Sequence, residues 1–345
     1  MSLNQQQLAY PYGVAECSGL IKQFPSDFKV SEQLGFSPTG AGEHLFLFIR
    51  KTGLTTQQLI TQLSEQLAIA PRLIGYSGLK DKQAVTEQWI SVHLPGCKKT
   101  PVITETEQFQ VLSSDWHDKK LRVGAHRSNR FDIVIRQLSG DCSALQQRME
   151  RIRQSGFANY FGEQRFGVQQ DNVEQALRIL NNRHKNKRLS RHKKSLFLSA
   201  LRSELYNQIL SSRIAQGHWM QPLAGDVFML AGTQSVFSEA LTDELCRRYT
   251  ELDLHSAVSL YGAGDSRLQG QAQAIEAEVL NAKAALSDTL LQEKLKRACR
   301  ANRAIAHHLS YLYEPEKKEI QLQVELDRGV YLTTLLQHFM HSTSD

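Results

Sequence analysis

Hydrophobic positions along the chain change their period several times, and each change marks an element. Residues 43–50, EHLFLFIR, form a short apolar run with Gly40 and Gly42 before it and Gly53 after it, which predicts a buried strand. From Leu54 the spacing becomes helical. Leu59, Ile60, Leu63 and Leu67 fall on one face, with Thr55 where an N-cap belongs. A strand is expected at Trp89–Leu94 and another in RFDIVIR (130–136), after which Leu145, Met149 and Ile152 mark one face of a helix. In EIQLQVEL (319–326), Ile320, Leu322, Val324 and Leu326 alternate with polar residues, as in a half-buried antiparallel strand. YLTTLLQHFM (331–340) is expected to be a helix that ends the chain. Strands interleaved with helices predict a mixed fold, α/β or α+β, around a central sheet.

A lone strand and helix at the C-terminal end cannot build a core, so they are expected to join a sheet begun earlier. The middle, about 160–305, reads as mainly helical, with Ala- and Leu-rich stretches at 199–213 and 271–300. The expected layout is therefore one domain from 1–156 and 306–345, interrupted by an inserted domain at 157–305; 345 residues suffice for both. No run of about 18 apolar residues predicts a membrane span. The start, MSLNQQQLAYPYG, lacks the charged and apolar regions of a signal peptide. Cys17, Cys97, Cys142, Cys246 and Cys299 are scattered, odd in number and never spaced C-x-x-C, so they read as free thiols in the cytoplasm.

Charge changes the picture locally. The net charge is +6, yet RHKNKRLSRHKK (183–194) alone carries seven cations, Arg183, Lys185, Lys187, Arg188, Arg191, Lys193 and Lys194, and no acid. Subtracting those seven leaves −1 for the remainder, which points to a local contact with a polyanion. A solvated helix end or loop is the plainer reading of such a run.

Familiar catalytic motifs are absent: no phosphate-binding G-x-x-x-x-G-K-[ST], no nucleophile elbow, no H-E-x-x-H. YGAGDSRLQG (261–270) lacks the third glycine of a dinucleotide loop, and neither the adjacent His307 and His308 nor the other histidines have metal-ligand spacing. No metal, nucleotide or other cofactor is expected. What remains is GYSGLKDKQAVTEQ (75–88), where Asp81 stands between Lys80 and Lys82 in a glycine-containing loop that runs into a strand. Most Lys-Asp-Lys triplets are solvated charge, but an acid held in such a loop on a rigid scaffold is well placed for function. KQFPSDFKVSE (22–32), RSNRFDI (127–133) and NYFGEQRFG (159–167) combine aromatic with polar or cationic residues, a mixture suited to an unstacked nucleobase. Taken singly, each of these rings is more often a core ring.

GYSGLKDKQAVTEQ resembles the signature of the tRNA pseudouridine synthase D family. The resemblance continues in KQFPSDFKVSE, GEHLFLFIRKTG, NRFDIVIR, NYFGEQRFG and LSALRSELYNQIL, in the family's order. It implies a pseudouridine-synthase catalytic domain with an inserted α/β family-specific domain, and isomerisation of uridine to pseudouridine in tRNA, at position 13 in the D-arm, by a cytoplasmic monomer. By residue it implies Asp81 as the catalytic aspartate, Lys22 as the lysine near it, Phe28 and Asn129 as contacts to the target uridine, and Phe131 as an active-site aromatic. Tyr331 falls where the family often has a substrate-contacting phenylalanine. Ser128 stands in place of the usual glycine and Ala158 in place of a common proline. Lys80 and Lys82, if the loop is extended, point away from the Asp81 face. Two other classes fit parts of the pattern. A non-catalytic RNA-binding protein would use the same cleft without needing Asp81. A glycosidase would need a second carboxylate, and Glu32 and Glu87, the nearest acids, read as structural.

Overall fold

The computed structural model describes residues 8–344 apart from Lys98 and Val168. They form two compact units. One holds the residues before Glu16, Ala144–Ile305 and Val330–Phe339; the other holds Glu16–Ser143, Ala306–Gly329 and the residues from Met340 onward.

The second unit begins with β1 (Cys17–Ile21), β2 (Phe28–Leu34), β3 (His44–Thr52), helix α1 (Thr56–Gln66), β4 (Ile74–Tyr76), β5 (Val85–His93), β6 (Phe109–His117) and β7 (His126–Gly140). Thr55 caps α1 by accepting from the Gln58 amide, and the Gln58 side chain accepts from the Thr55 amide in return. The helix buries Leu59, Ile60 and Leu63 against Leu45, Leu47 and Ile49 of β3 and Ile90 and Val92 of β5. β5 and β7 start earlier than their apolar cores suggest. Their first halves turn polar residues inward (Thr86 and Gln88, His126 and Ser128), and a buried Gln88 is feasible because Thr56 donates to its Oε1 at 2.9 Å.

The other unit contains α2 (Leu145–Ser155), β8 (Phe157–Ala158), α3 (Asn172–Leu180), α4 (Arg183–Lys187), α5 (Arg191–Ala215), β9 (Val227–Leu230), β10 (Val236–Ser238), α6 (Asp243–Thr250), β11 (Leu254–Leu260), α7 (Gly270–Ala282), α8 (Ala284–Gln292), β12 (Ala298–Ala301) and β13 (Arg303–Ala304). It is mainly helical, as the sequence reads, but not entirely. Four antiparallel strands in the order β10-β9-β11-β12 form a sheet. β11 hid from pattern reading because it is buried on both faces, including His255, Ser256 and Ser259. The buried Arg213 of α5 binds both carboxylate oxygens of Asp226, at 2.6 and 2.5 Å, while Ser256 of β11 donates to the same carboxylate.

The chain then returns through β14 (His307–Glu314) and β15 (Glu319–Asp327), passes α9 (Leu332–Leu336) and ends in β16 (His341–Ser344). The large mixed sheet has ten strands. Its main order is β14-β15-β7-β2-β5-β3-β6, with β4 on β5, β1 on β7 and β16 on β1. The β2–β5 and β1–β16 pairs are parallel and the others antiparallel. The alternation read in 319–326 faces Leu322 to Ile133 and Val324 to Phe131.

Two expectations are corrected. The terminal helix is only five residues long, and the chain finishes as a strand, whose ladder to β1 replaces local helical bonds. Cys17 and Cys142 are joined in a disulfide, with their Cα atoms 5.0 Å apart, because β1–β7 pairing brings together residues 125 apart in sequence. Cys97, Cys246 and Cys299 are free. No helix among the described residues is long and apolar enough to cross a membrane.

Candidate active site

The segment between β4 and β5 carries Asp81, and its backbone is pinned from several sides. The Lys80 amide donates to Thr56 Oγ1 at 3.0 Å, Gly53 donates to the Lys82 carbonyl at 3.2 Å, and Gly124 donates to the Ser77 carbonyl at 2.6 Å. Lys51 Nζ, itself buried, donates to the carbonyls of Asp81 at 2.9 Å and Leu54 at 2.6 Å. Gly75 must be glycine, since a Cβ there would collide with the Leu121 carbonyl oxygen. The backbone is thus held while the Asp81 carboxylate stays 48% exposed.

Lys22 Nζ lies 2.5 Å from Asp81 Oδ2. It sits just after β1 with φ at +60°, an uncommon conformation for a residue with a side chain. The same ammonium lies 4.4 Å from the centre of the Phe28 ring, a cation–π contact, and Phe28 meets Phe131 edge to face at 6.3 Å. Both rings are buried, and they approach because β2 and β7 are neighbours, with Phe28 opposite Ile133 and Val30 opposite Phe131. Asp81, Lys22, Phe28 and Phe131 therefore form one connected group.

Lys80, beside Asp81 in sequence, reaches elsewhere. Its Nζ lies 2.9 Å from Glu32 Oε2 and donates to Asn129 Oδ1 at 2.7 Å. That contact orients the Asn129 amide with its oxygen toward the lysine. Among the described residues, the Nδ2 donor of Asn129 has no protein partner. Burial pushes the Lys51 ammonium down to about 8 and lowers His126, although nearby Asp81 and Glu32 act in the opposite sense.

Sequence reading missed Lys51 and named Glu32 only as structural, although a signal for the burial of both was present. On β3 the inward set Leu45, Leu47 and Ile49 continues to Lys51; on β2 the inward set Phe28 and Val30 continues to Glu32. A charge at inward parity on an apolar strand marks a buried charge that needs a partner. Glu87, in contrast, is paired with Arg50 at 2.8 Å, on the opposite parity from buried Thr86 and Gln88.

Tyr331 belongs to the other unit, where it precedes α9 and meets Phe161 edge-on at 6.4 Å. The basic run forms α4 and the start of α5. Lys187, Arg188, Arg191 and Lys193 are exposed, whereas Lys194 is paired with Glu293 at 2.6 Å, an acid supplied from outside the run. Arg183 and Lys185 lie on α4, and their side chains are outside the described part of the structure. Among the described residues no three His, Cys, Asp or Glu side chains are arranged to hold a metal ion.

The family profile for tRNA pseudouridine synthase D (TruD) matches residues 6–186 and 181–339. The chain belongs to this family. It is 39% identical to the tRNA pseudouridine synthase D of Methylococcus capsulatus, over 95% of this chain and 93% of that one. It is 35% identical to the protein of that name from Colwellia psychrerythraea, over 96% and 92%. The crystal structure of a TruD protein from Methanosarcina mazei superposes with a TM-score of 0.75 at 21% identity, covering 96% and 95% of the two chains, so the fold is that of a pseudouridine synthase. Ser128 and Ala158, read in the sequence as departures from what the resemblance implies, have clear surroundings. Ser128 lies within β7 and donates to Glu325 at 2.5 Å, with no positive φ. Ala158 offers His338 Nε2 an amide donor at 3.0 Å that a proline would lack.

Proposed function

We propose that this member of the family isomerises uridine to pseudouridine in tRNA, at position 13 in the D-arm, with Asp81 as the essential carboxylate. The observation that carries the reading is the half-exposed Asp81 carboxylate on a pinned backbone, with a single ammonium, Lys22, at 2.5 Å. The reaction breaks the bond from ribose C1′ to uracil N1, turns the freed base and joins C1′ to C5, while C5 gives up its proton and N1 gains one. It is redox-neutral and internal, so the reading requires no cofactor. One carboxylate must stand at the reacting nucleotide, and the site must keep the freed uracil in place. Asn129 serves the second need: with its oxygen held by Lys80, it presents an N–H donor suited to a uracil carbonyl oxygen. Phe28 and Phe131 supply the apolar wall.

The unit holding Asp81 is the catalytic one in this reading, and the other is the family's insertion. Tyr331 and the basic run of Arg183 to Lys194 contact the tRNA. The protein acts as a monomer in the cytoplasm. With Cys17 and Cys142 bonded, it is the tRNA substrate and not the cysteine pattern that supports this compartment.

The test is single-turnover conversion of an unmodified tRNA, run beside a binding titration of the same variants. Asp81→Asn removes the charge and keeps the shape. It should abolish conversion while leaving tRNA affinity within a few-fold and the melting temperature nearly unchanged. Phe28→Ala and Asn129→Ala should retain reduced but measurable conversion. Substantial conversion by folded Asp81→Asn would remove Asp81 from the mechanism. Tight tRNA binding by the wild type without any conversion would favour an RNA-binding role.

A further inference from the structure

We propose that Lys80 makes the Asp81 site select uridine over cytidine, by fixing which end of the Asn129 amide faces the base. The inference rests on the tRNA-modifying role proposed for that site, and it names the residue that decides which base the role accepts.

Strand register brings the parts together. Glu32 of β2 stands opposite Asn129 of β7, as Val30 stands opposite Phe131, so Phe28, Glu32, Asn129 and Phe131 share one face of the large sheet. Lys80 comes onto that face from the loop of Asp81, and it is held at both ends. Its amide donates to Thr56 Oγ1 at 3.0 Å, and its ammonium lies 2.9 Å from Glu32 Oε2. Glu32 is held in turn, because its Oε1 accepts from the Trp89 amide at 3.3 Å. The two side chains are only 7% and 0% exposed. A lysine so placed cannot follow a neighbour that turns.

An ammonium has three donors and no acceptor. Of the two ends of the Asn129 amide, only Oδ1 can therefore meet Lys80, as it does at 2.7 Å. The end left for a base is Nδ2, a donor, on the same face as the Phe28 and Phe131 rings. A neutral apolar side chain in place of Lys80 would let the amide present either end.

Uracil suits a fixed donor for a reason set by the reaction itself. Half a turn about the line from N3 to C6 puts C5 where N1 stood, and it also exchanges O2 with O4. A carbonyl oxygen thus faces Asn129 Nδ2 before and after the turn, and one donor holds the base in both orientations. Cytosine carries an amino group at C4. In one of its orientations that group would meet the Asn129 donor, and two N–H groups would oppose each other without an acceptor. An apolar pair of similar size could brace the Asp81 loop as well as the buried ions do. It would carry no preference between the two bases.

The experiment uses the full chain and two unmodified tRNA transcripts that differ only in carrying uridine or cytidine at the target position. Affinity for each, single-turnover conversion of the uridine transcript and melting temperature are measured for the wild type, Glu32→Gln/Lys80→Met and Asn129→Asp. The wild type should bind the uridine transcript roughly 10- to 100-fold more tightly, as expected when a donor covered by the base loses its acceptor. The double variant removes both charges at once, so neither is stranded, and its preference should largely vanish. Asn129→Asp keeps one oxygen for Lys80 and turns the other toward the base. That acceptor suits the cytosine amino group, so the preference should reverse. A folded double variant that keeps the wild-type preference would overturn the proposal, even if it converts uridine slowly, since Lys80 would then only support the loop. Equal affinity of the wild type for both transcripts, or an Asn129→Asp protein that still favours uridine, would also overturn it. Should the wild type convert no uridine at all, the proposed activity fails, while a Lys80-dependent preference in binding would still uphold the selection.

Discussion

Lys80 and Glu32 form an ion pair at 2.9 Å with both side chains almost sealed from solvent, although Lys80 directly precedes the exposed Asp81. The pair sits under Asn129, whose carbonyl oxygen takes a hydrogen bond from the same ammonium. Removing one member of a buried pair strands the other charge, at a cost of about 3–5 kcal/mol. Glu32→Ala should therefore lower unfolding free energy by about that amount in urea titration. Glu32→Gln combined with Lys80→Met should recover most of the stability and still convert uridine slowly, because Asn129 has lost the donor that orients it. A fully active double variant would show that Lys80 positions nothing.

Lys51 offers a test by pH. Burial lowers its ammonium from 10.5 to about 8. Between those values the unfolded chain keeps a proton that the folded chain has released, so this group makes stability rise with pH across the window. Lys51→Met lacks the effect. Its stability measured from pH 8 to 10 should rise less steeply than that of the wild type; parallel curves would refute the assignment. Conversion by Lys51→Met should fall at least about tenfold, a loss of roughly 1.4 kcal/mol in transition-state stabilisation, because the Asp81 carbonyl loses its anchor.

The basic run should respond unevenly. Replacing Lys187, Arg188 and Arg191 together with glutamine should weaken tRNA binding and reduce the salt slope by about 0.7–0.9 for every phosphate that loses its cation. Lys194→Gln should do much less, since Glu293 already neutralises that lysine. Saturating single-turnover rates should change little in either case. Unaltered affinity and slope in the triple variant would reduce the run to solvated surface.

His338 predicts acid sensitivity in the other unit. It is fully buried, accepts from the Ala158 amide through Nε2, contacts the Thr334 carbonyl at 2.7 Å through Nδ1, and is lowered by burial to about 4. As pH falls from about 6.5 to 4 the unfolded chain gains a proton that the folded chain excludes, so stability is lost over that range. His338→Gln should be less stable at pH 7 yet show a flatter decline between pH 6.5 and 4 in thermal melts. An unchanged decline would assign the acid loss to other groups.

The sequence by itself determined the elements whose burial is one-sided or locally capped. Thr55 and Gln58 fix the start of α1, and the alternation of Ile320, Leu322, Val324 and Leu326 marks β15, because these signals lie within a few residues of one another. The motif around Asp81 was likewise legible, since its glycines, lysines and acid are contiguous. Tertiary structure alone decided the rest. HSTS at 341–344 has no apolar period, and only its ladder to β1 makes it a strand. β11 is covered on both faces, so no alternation betrays it. Cys17 meets Cys142, and Lys80 reaches Glu32 and Asn129, because strands far apart in sequence align in a particular register. Register is a property of the paired strands, and neither partner records it alone.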